Sequence, residues 1–530
     1  MTFAAGFFLL VWVVGSILGN GIVVLHRLTK LRGLELVGYG AAAGVGLHAL
    51  LGLGIAAIPG ARLFFVVILI AVTLWSTVWL VVRRILQELF LALPPATKIA
   101  LGLWGLFLVL NVGILNLQVH LPESLPDGQY IFKTPTTNVK IQYLTGMPAD
   151  NYIPFAVGEF FLRGVSFKEM RPILPGNEVS NRTILMSLVA MPFRVALGAP
   201  HDRPWLGTYD YIGAKWNDVS KLNEGSYFEQ FAVVGLVLNS LMLVGVFVFC
   251  TSLGANSILP FATILYVTNH YFIVQTIYSW PKPFAGFFIL LAWTSLRSAH
   301  HPAIVAVLLA LAYHCHPYAV VFAGCVGVFY FLQWTRGRMG LRSTAIYAGV
   351  YALLLAPWFI WTQLVLRIPS DLIAQNFSGR GTEAAWASPI NFIWIRLHNF
   401  FDLTGLMSVQ FIPSDLASAA VYWERSVPGI LGFVLIFPAL AQCAQLRRPT
   451  PWLWYGLLGP AALILAIFSG PALAILHGYQ ALLGVLLFFG VWWLVRHCNG
   501  KMFASLIGLQ LLLNVCLVWV HARKIGAHFW

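Results

Sequence analysis

Charged side chains are scarce in this chain: Asp, Glu, Lys and Arg make up 9% of it, where a soluble domain carries roughly 25%. With 59% hydrophobic residues and a mean hydropathy of +0.81, that scarcity excludes an ordinary water-soluble globular protein. Cysteine is also sparse. Cys250, Cys315, Cys325, Cys443, Cys498 and Cys516 lie in or beside apolar segments at no metal-like spacing. The long polar stretches contain none, so neither a structural disulfide nor a zinc site is expected. The first apolar segment, 3–25, has no basic leader and no small-residue cleavage site, so it reads as a span and not as a signal peptide. No internal repeat of the kind that builds inverted transporter halves is visible, and no low-complexity tract.

What is present is a succession of apolar runs, each near the ~20 residues that cross a bilayer as a helix. They fall at roughly 3–25, 35–58, 62–82, 98–118, 230–252, 256–278, 282–297, 301–316, 317–334, 344–366, 428–446, 452–470, 473–495 and 502–521. The expected fold is therefore an all-α polytopic membrane protein with about 13–14 transmembrane helices. Around His314-Cys315-His316-Pro317 the pattern allows one bent helix or two short ones, because Pro317 interrupts helical hydrogen bonding.

The net charge of +14 need not mean nucleic acid, and no nucleic-acid partner is expected. Arg27, Lys30 and Arg32; Arg83, Arg84 and Lys98; Arg336, Arg338 and Arg342; Arg447 and Arg448; and Arg496 with Lys501 all fall on one side of the spans. The positive-inside bias makes that side cytoplasmic. Two long polar stretches, 119–229 and 367–427, then face the opposite side. The organisation is amino-terminal helices over 1–97, a span at 98–118, the first loop at 119–229, a central bundle at 230–366, the second loop at 367–427 and carboxy-terminal helices over 428–530.

The first loop is the most informative feature, since a long insertion between spans costs ordering entropy and usually carries function. It holds 11 of the 18 carboxylates. Tyr152–Arg163 and Arg182–Leu197 place apolar residues at helical spacing, which predicts short amphipathic helices lying at the membrane surface. Ile390–Phe401 repeats the pattern weakly in the second loop.

Several residues there could carry chemistry. Asp127, in Pro126-Asp127-Gly128-Gln129-Tyr130, is placed to act as a general base on a hydroxyl; the same tripeptide also reads as a simple turn. Asp150 is a second acid, or a helix N-cap. Glu159 is a third, set among Phe155, Phe160, Phe161 and Leu162, or else the solvated face of its helix. Arg182 could clamp a phosphate or snorkel to lipid headgroups. Lys282, between prolines in Trp280-Pro281-Lys282-Pro283, reads as a fixed cation at the outer mouth of two spans, or as a turn with one snorkelling lysine. His314 and His316 are costly in an apolar segment unless they face a polar cavity. Their i,i+2 spacing does not put both on one helix face, which ranks a substrate-lining role above metal. His477 and Tyr479 begin the penultimate span, as a binding pair or as part of an aromatic belt.

Together these positions resemble the polytopic GT-C superfamily of membrane glycosyltransferases. The similarity runs through Pro126-Asp127-Gly128-Gln129-Tyr130 after a span, Pro148-Ala149-Asp150-Asn151-Tyr152, Ser180-Asn181-Arg182-Thr183, Tyr278-Ser279-Trp280-Pro281-Lys282-Pro283 and Ala312-Tyr313-His314-Cys315-His316. The resemblance implies a bacterial inner-membrane enzyme that takes a sugar from a polyprenyl-phosphate donor, with its large loops periplasmic and a lipid, glycan or protein acceptor. It implies Asp127 as base, with Arg182, Lys282, His314 and His316 on the phosphate. No nucleotide-binding glycine loop is present, in keeping with a lipid donor. No cofactor is required by this chemistry, although a divalent metal is compatible with it. The competing expectations are a lipid or solute transporter, a polymerase or ligase of O-antigen type using Arg380, Arg396 and His398, and a non-catalytic envelope scaffold.

Overall fold

The computed structural model describes residues 1–115, 153–168, 178–181, 183–199, 227–368, 388–390, 393, 435, 437–446, 455–456, 458–467 and 480–524. Among the described residues the chain is helical throughout, with no strand. Seven helices are long and apolar enough to cross a membrane, and an eighth crossing is made if one bent pair counts as a span. The amino-terminal helices are α1 (Phe3–Leu28), α2 (Gly33–Ala57), α3 (Arg62–Val82), α4 (Ile85–Ala92) and α5 (Pro95–Leu115). α6 (Ile153–Arg163) and α7 (Leu185–Ala196) come from the first loop. Then follow α8 (Tyr227–Ser252), α9 (Leu259–Thr268), α10 (His270–Ile277), α11 (Lys282–Arg297), α12 (Pro302–Cys315), α13 (Ala319–Thr335) and α14 (Leu341–Phe359). α15 (Phe437–Gln445), α16 (Gly459–Ile467), α17 (Gln480–His497) and α18 (Gly500–Lys524) complete the described set.

α8 is the axis of the bundle. Its apolar stretch is wholly buried, with α1, α2, α5, α7, α11 and α17 around it. α3 and α14 form the periphery, and Leu63, Phe64, Val67 and Leu74 on α3 stay largely uncovered. So much contiguous exposed hydrocarbon is stable only where the surrounding solvent is itself apolar. The chain is a multi-pass helical membrane protein.

Close approach of backbones sets the amino-terminal packing. Gly40 and Gly44 form a Gly-x-x-x-Gly step on α2 that admits α1: a Cβ on Gly44 would overlap the Ile17 carbonyl, and one on Gly21 would overlap that of Gly40. Gly52 likewise meets the Leu188 carbonyl of α7. His48 links the same helices, its ring nitrogens 2.7 Å from the Gly44 carbonyl and 3.2 Å from Ser16 Oγ.

Two expectations need correction. α6 and α7 present no solvated face of the kind an amphipathic surface helix keeps; nearly every residue of both is buried. The reason lies in α7 itself, Leu-Met-Ser-Leu-Val-Ala-Met-Pro-Phe-Arg-Val-Ala, which is apolar on all sides except at Ser187 and Arg194 and so has no face for water. The expected span at 256–278 is also not one helix. α9 ends at Asn269 and α10 leaves at 78° to it. The region around Pro317 resolves into two helices, α12 and α13, with His316 extended between them. In α14, Pro357 removes an amide donor and the next turn widens into a π-helix at Ile360–Val365.

Candidate functional site

The breaks in the helices collect the polar groups. A chain that stops being helical inside an apolar bundle must find partners for its freed amides and carbonyls. At the α9–α10 break, Asn269 Oδ1 accepts from the Tyr271 amide at 3.0 Å. Asn514 of α18 donates to the Leu265 carbonyl and to Thr268 Oγ1, each at 3.1 Å, while Gln510 donates to Asn514 Oδ1 at 3.0 Å. At the α10–α11 turn, Asn239 of α8 donates its side-chain amide to the Tyr278 carbonyl at 2.5 Å, with the Thr276 and Gln275 carbonyls at 3.4 and 3.5 Å.

That second break carries Lys282. The residue begins α11 and is fully buried. α11 runs parallel to α8, with Ser279 beside Gly235, Gly286 against Met242 and Leu290 against Gly245. Lys282 is therefore level with Asn239, about 18 Å from the start of α8 at 1.5 Å per residue. The expectation of a lysine at the outer mouth is corrected accordingly: α10 leaves α9 at 78°, and its end, bonded to Asn239, starts α11 level with the middle of α8. Lys282 Nζ sits 2.9 Å from the centroid of the Trp280 ring, a cation–π contact strengthened by burial.

His316 arrives at the same place from α12. Its Nδ1 accepts from the Tyr318 amide at 3.3 Å, its ring lies 5.1 Å from the Tyr318 ring, and Tyr318 Oη donates to the Lys282 carbonyl at 2.8 Å. His316 and Lys282 are thus joined through one tyrosine. His314 points elsewhere: its Nε2 is 2.9 Å from the Leu354 carbonyl of α14. The two imidazoles diverge, as their spacing requires. Among the described residues, no group of three or more His, Cys, Asp or Glu side chains is placed to hold a metal ion.

Glu159 belongs to a second buried cluster. Its Oε2 accepts from Arg163 Nε at 3.1 Å, and its Oε1 pairs with Arg194 Nη2 in a short contact. Arg194 also donates to Gln230 Oε1 at 2.5 Å and lies over the Tyr227 ring at 4.5 Å. Glu159 is neither solvated nor open: both carboxylate oxygens hold a guanidinium. Phe193, next to Arg194, stacks on His48 with ring centroids 5.3 Å apart.

Asp127, Asp150, Arg182, His477 and Tyr479 lie outside the described residues, as do Arg380, Arg396 and His398. Sequence reasoning missed Asn239, Asn514, Tyr318 and Arg194. The signal for the two asparagines was there, since an amide in the middle of an apolar span is costly unless it holds another polar group. No protein-family model, curated protein or solved structure matches this chain.

Proposed function

We propose that this protein is an integral membrane glycosyltransferase that moves a sugar from a polyprenyl-phosphate donor to an acceptor hydroxyl on a lipid, glycan or protein, at the periplasmic face of a bacterial inner membrane. The observation that carries the reading is a buried helix break at which Tyr318 bonds the backbone carbonyl of Lys282 and donates its own amide to His316. Lys282 stands in the first turn of α11, where the helix dipole is also positive. An ammonium, an imidazole and a helix amino terminus together favour an anion, and a phosphate carried on a polyprenyl chain approaches such a site from within the membrane. On this reading Lys282 and His316 hold the donor phosphate.

Asp127 is then the base. Its carboxylate takes the acceptor hydroxyl proton, the acceptor oxygen bonds to the anomeric carbon, and the bond from that carbon to the phosphate oxygen breaks. Polyprenyl phosphate leaves with the bonding pair, and the anomeric configuration inverts. General-base assistance of this kind contributes about 10²–10⁴-fold. Glu159, saturated by Arg163 and Arg194, serves to position α6 against α7.

A second reading draws on the α9–α10 break. Discontinuous helices satisfied by asparagines at membrane depth also build the sites of transporters. One experiment separates the two. Purified protein in proteoliposomes is given a polyprenyl-phosphate sugar with an acceptor extract, and free polyprenyl phosphate is measured for wild type, Asp127→Asn and Lys282→Met. Transferase activity predicts release by wild type and a loss of about 100-fold or more in Asp127→Asn. Movement of the lipid between leaflets with no release sinks the transferase reading and supports transport.

A further inference from the structure

A cavity of about 700 Å³ opens at the opposite end of the amino-terminal helices from α6 and α7. It lies between the α1–α2 turn and α4, and has no connection with Lys282 or Glu159. Its polar wall is His26, Thr29, Lys30, Arg32 and Glu88, and its floor is Leu36, Ile85 and Leu89. Neither Lys30 nor Arg32 reaches a carboxylate within ion-pair distance among the described residues. Counting Lys30 and Arg32 against Glu88, the cavity carries an excess of positive charge.

Its surroundings say what kind of anion fits. α4 turns Ile85 inward onto Ile22, Val23, Leu36 and Leu80, but leaves Leu86, Phe90 and Leu91 about half exposed or more. Beside the cavity, Arg27 lies 4.8 and 4.9 Å from the Trp75 and Trp79 rings, and Lys98 lies 4.9 Å from Phe90. Aromatic rings under cations mark the depth of the headgroup layer. α4 is then an interfacial helix with its bare apolar side among acyl chains and the basic cavity at headgroup level. A soluble anion would have no use for that apolar rim, whereas a lipid fills both parts.

We infer that this cavity binds the phosphate headgroup of an anionic phospholipid from the membrane leaflet on the basic side, with Lys30 and Arg32 pairing its phosphate and the exposed face of α4 contacting its acyl chains. Glu88 opposes the anion and tunes the affinity downward.

The test uses the full chain in detergent, incubated with equal amounts of phosphatidylglycerol and phosphatidylcholine of matched acyl chains, with retained lipid counted by native mass spectrometry. Wild type is expected to retain phosphatidylglycerol preferentially. Lys30→Gln combined with Arg32→Gln should lower that preference by about 30-fold, the effect of two interfacial cations. Glu88→Gln, which keeps both cations and removes the opposing charge, should raise it. A change of less than about twofold in the double variant, at an unchanged thermal midpoint, overturns the proposal. Displacement of the wild-type lipid by millimolar inorganic phosphate also overturns it, because the cavity then takes the free ion. If the double variant does not fold, Glu88→Gln decides alone: unchanged or lower retention refutes the site.

Discussion

At the scale of single residues, the buried acid Glu159 shows how far local context reaches. Its aromatic neighbours marked it in the sequence as a carboxylate in an apolar setting, and it is buried. What the sequence could not disclose was its partner, because Arg194 stands 35 residues away on another helix. Spacing rules tie together residues three or four apart on one helix, such as Glu159 and Arg163, and say nothing across a loop. A buried pair of this kind is costly to break: removing one partner leaves an uncompensated charge worth about 3–5 kcal/mol. Arg194→Met is expected to lower stability by about that amount, and Glu159→Gln, which strands two guanidinium groups, by at least as much. Combined, the two substitutions should cost clearly less than their sum, since the second removes a charge the first left unpaired. Thermal midpoints in detergent for the four proteins give the cycle. Strict additivity would mean that the ion pair contributes nothing beyond its parts.

At the scale of helices, the glycines of α2 decide which neighbours come close. Gly44 and Gly46 are two residues apart in one helix, yet a Cβ on Gly44 meets the Ile17 carbonyl while one on Gly46 meets nothing within 4 Å. Gly44→Ala must therefore push α1 away and loosen the contact that also seats His48 on Ser16. Gly46→Ala should be neutral or stabilising by about 0.5–1 kcal/mol, the helix-propensity gain. Comparing the thermal midpoints of the two variants checks this, and equal effects would remove the close-approach argument. The spans around these glycines were legible in the sequence to within a few residues: 3–25 became Phe3–Leu28 and 230–252 became Tyr227–Ser252. Hydrophobic length sufficed there because charge closes the first run at Arg27 and opens the second at Glu229. It failed at Asn269, where a single amide inside an apolar run permits a 78° bend once Asn514 supplies the missing partner. It failed again for α7, whose shortness looked like a surface helix although its composition demanded burial. Of the residues at this break, His316 stood out in the sequence as costly in an apolar segment and Lys282 as a fixed cation between prolines, but Tyr318, which bonds the Lys282 carbonyl, looks like any interfacial aromatic.

At the scale of the whole molecule, charge is divided between the two ends of the bundle, and this predicts an orientation. α1 and α3 finish, and α2 and α5 start, at one end, which carries Arg27, Lys30, Arg32, Arg83, Arg84 and Lys98. α11 brings Arg297 to that same end, as the bond of Tyr39 near the start of α2 to Ser295 requires. α17 runs alongside α8, with Phe488 by Phe247, and delivers Arg496 there too. The opposite end holds the start of α8 and the α2–α3 turn. Translocating clustered Lys and Arg is disfavoured, so the basic end should remain in the cytoplasm. Gly60 in the α2–α3 turn and Gly340 before α14 are both exposed, and a Cβ at either meets nothing within 4 Å, so each accepts a cysteine without strain on its neighbours. In a variant with Cys498 and Cys516 replaced by serine, Gly60→Cys should react with a membrane-impermeant maleimide added to spheroplasts. Gly340→Cys should react only after the membrane is opened. The reverse pattern would turn the molecule over, placing the long loops in the cytoplasm and the lipid cavity beside α4 on the outside. Labelling of both cysteines in sealed spheroplasts would contradict the alternation of helices from which the two ends are defined.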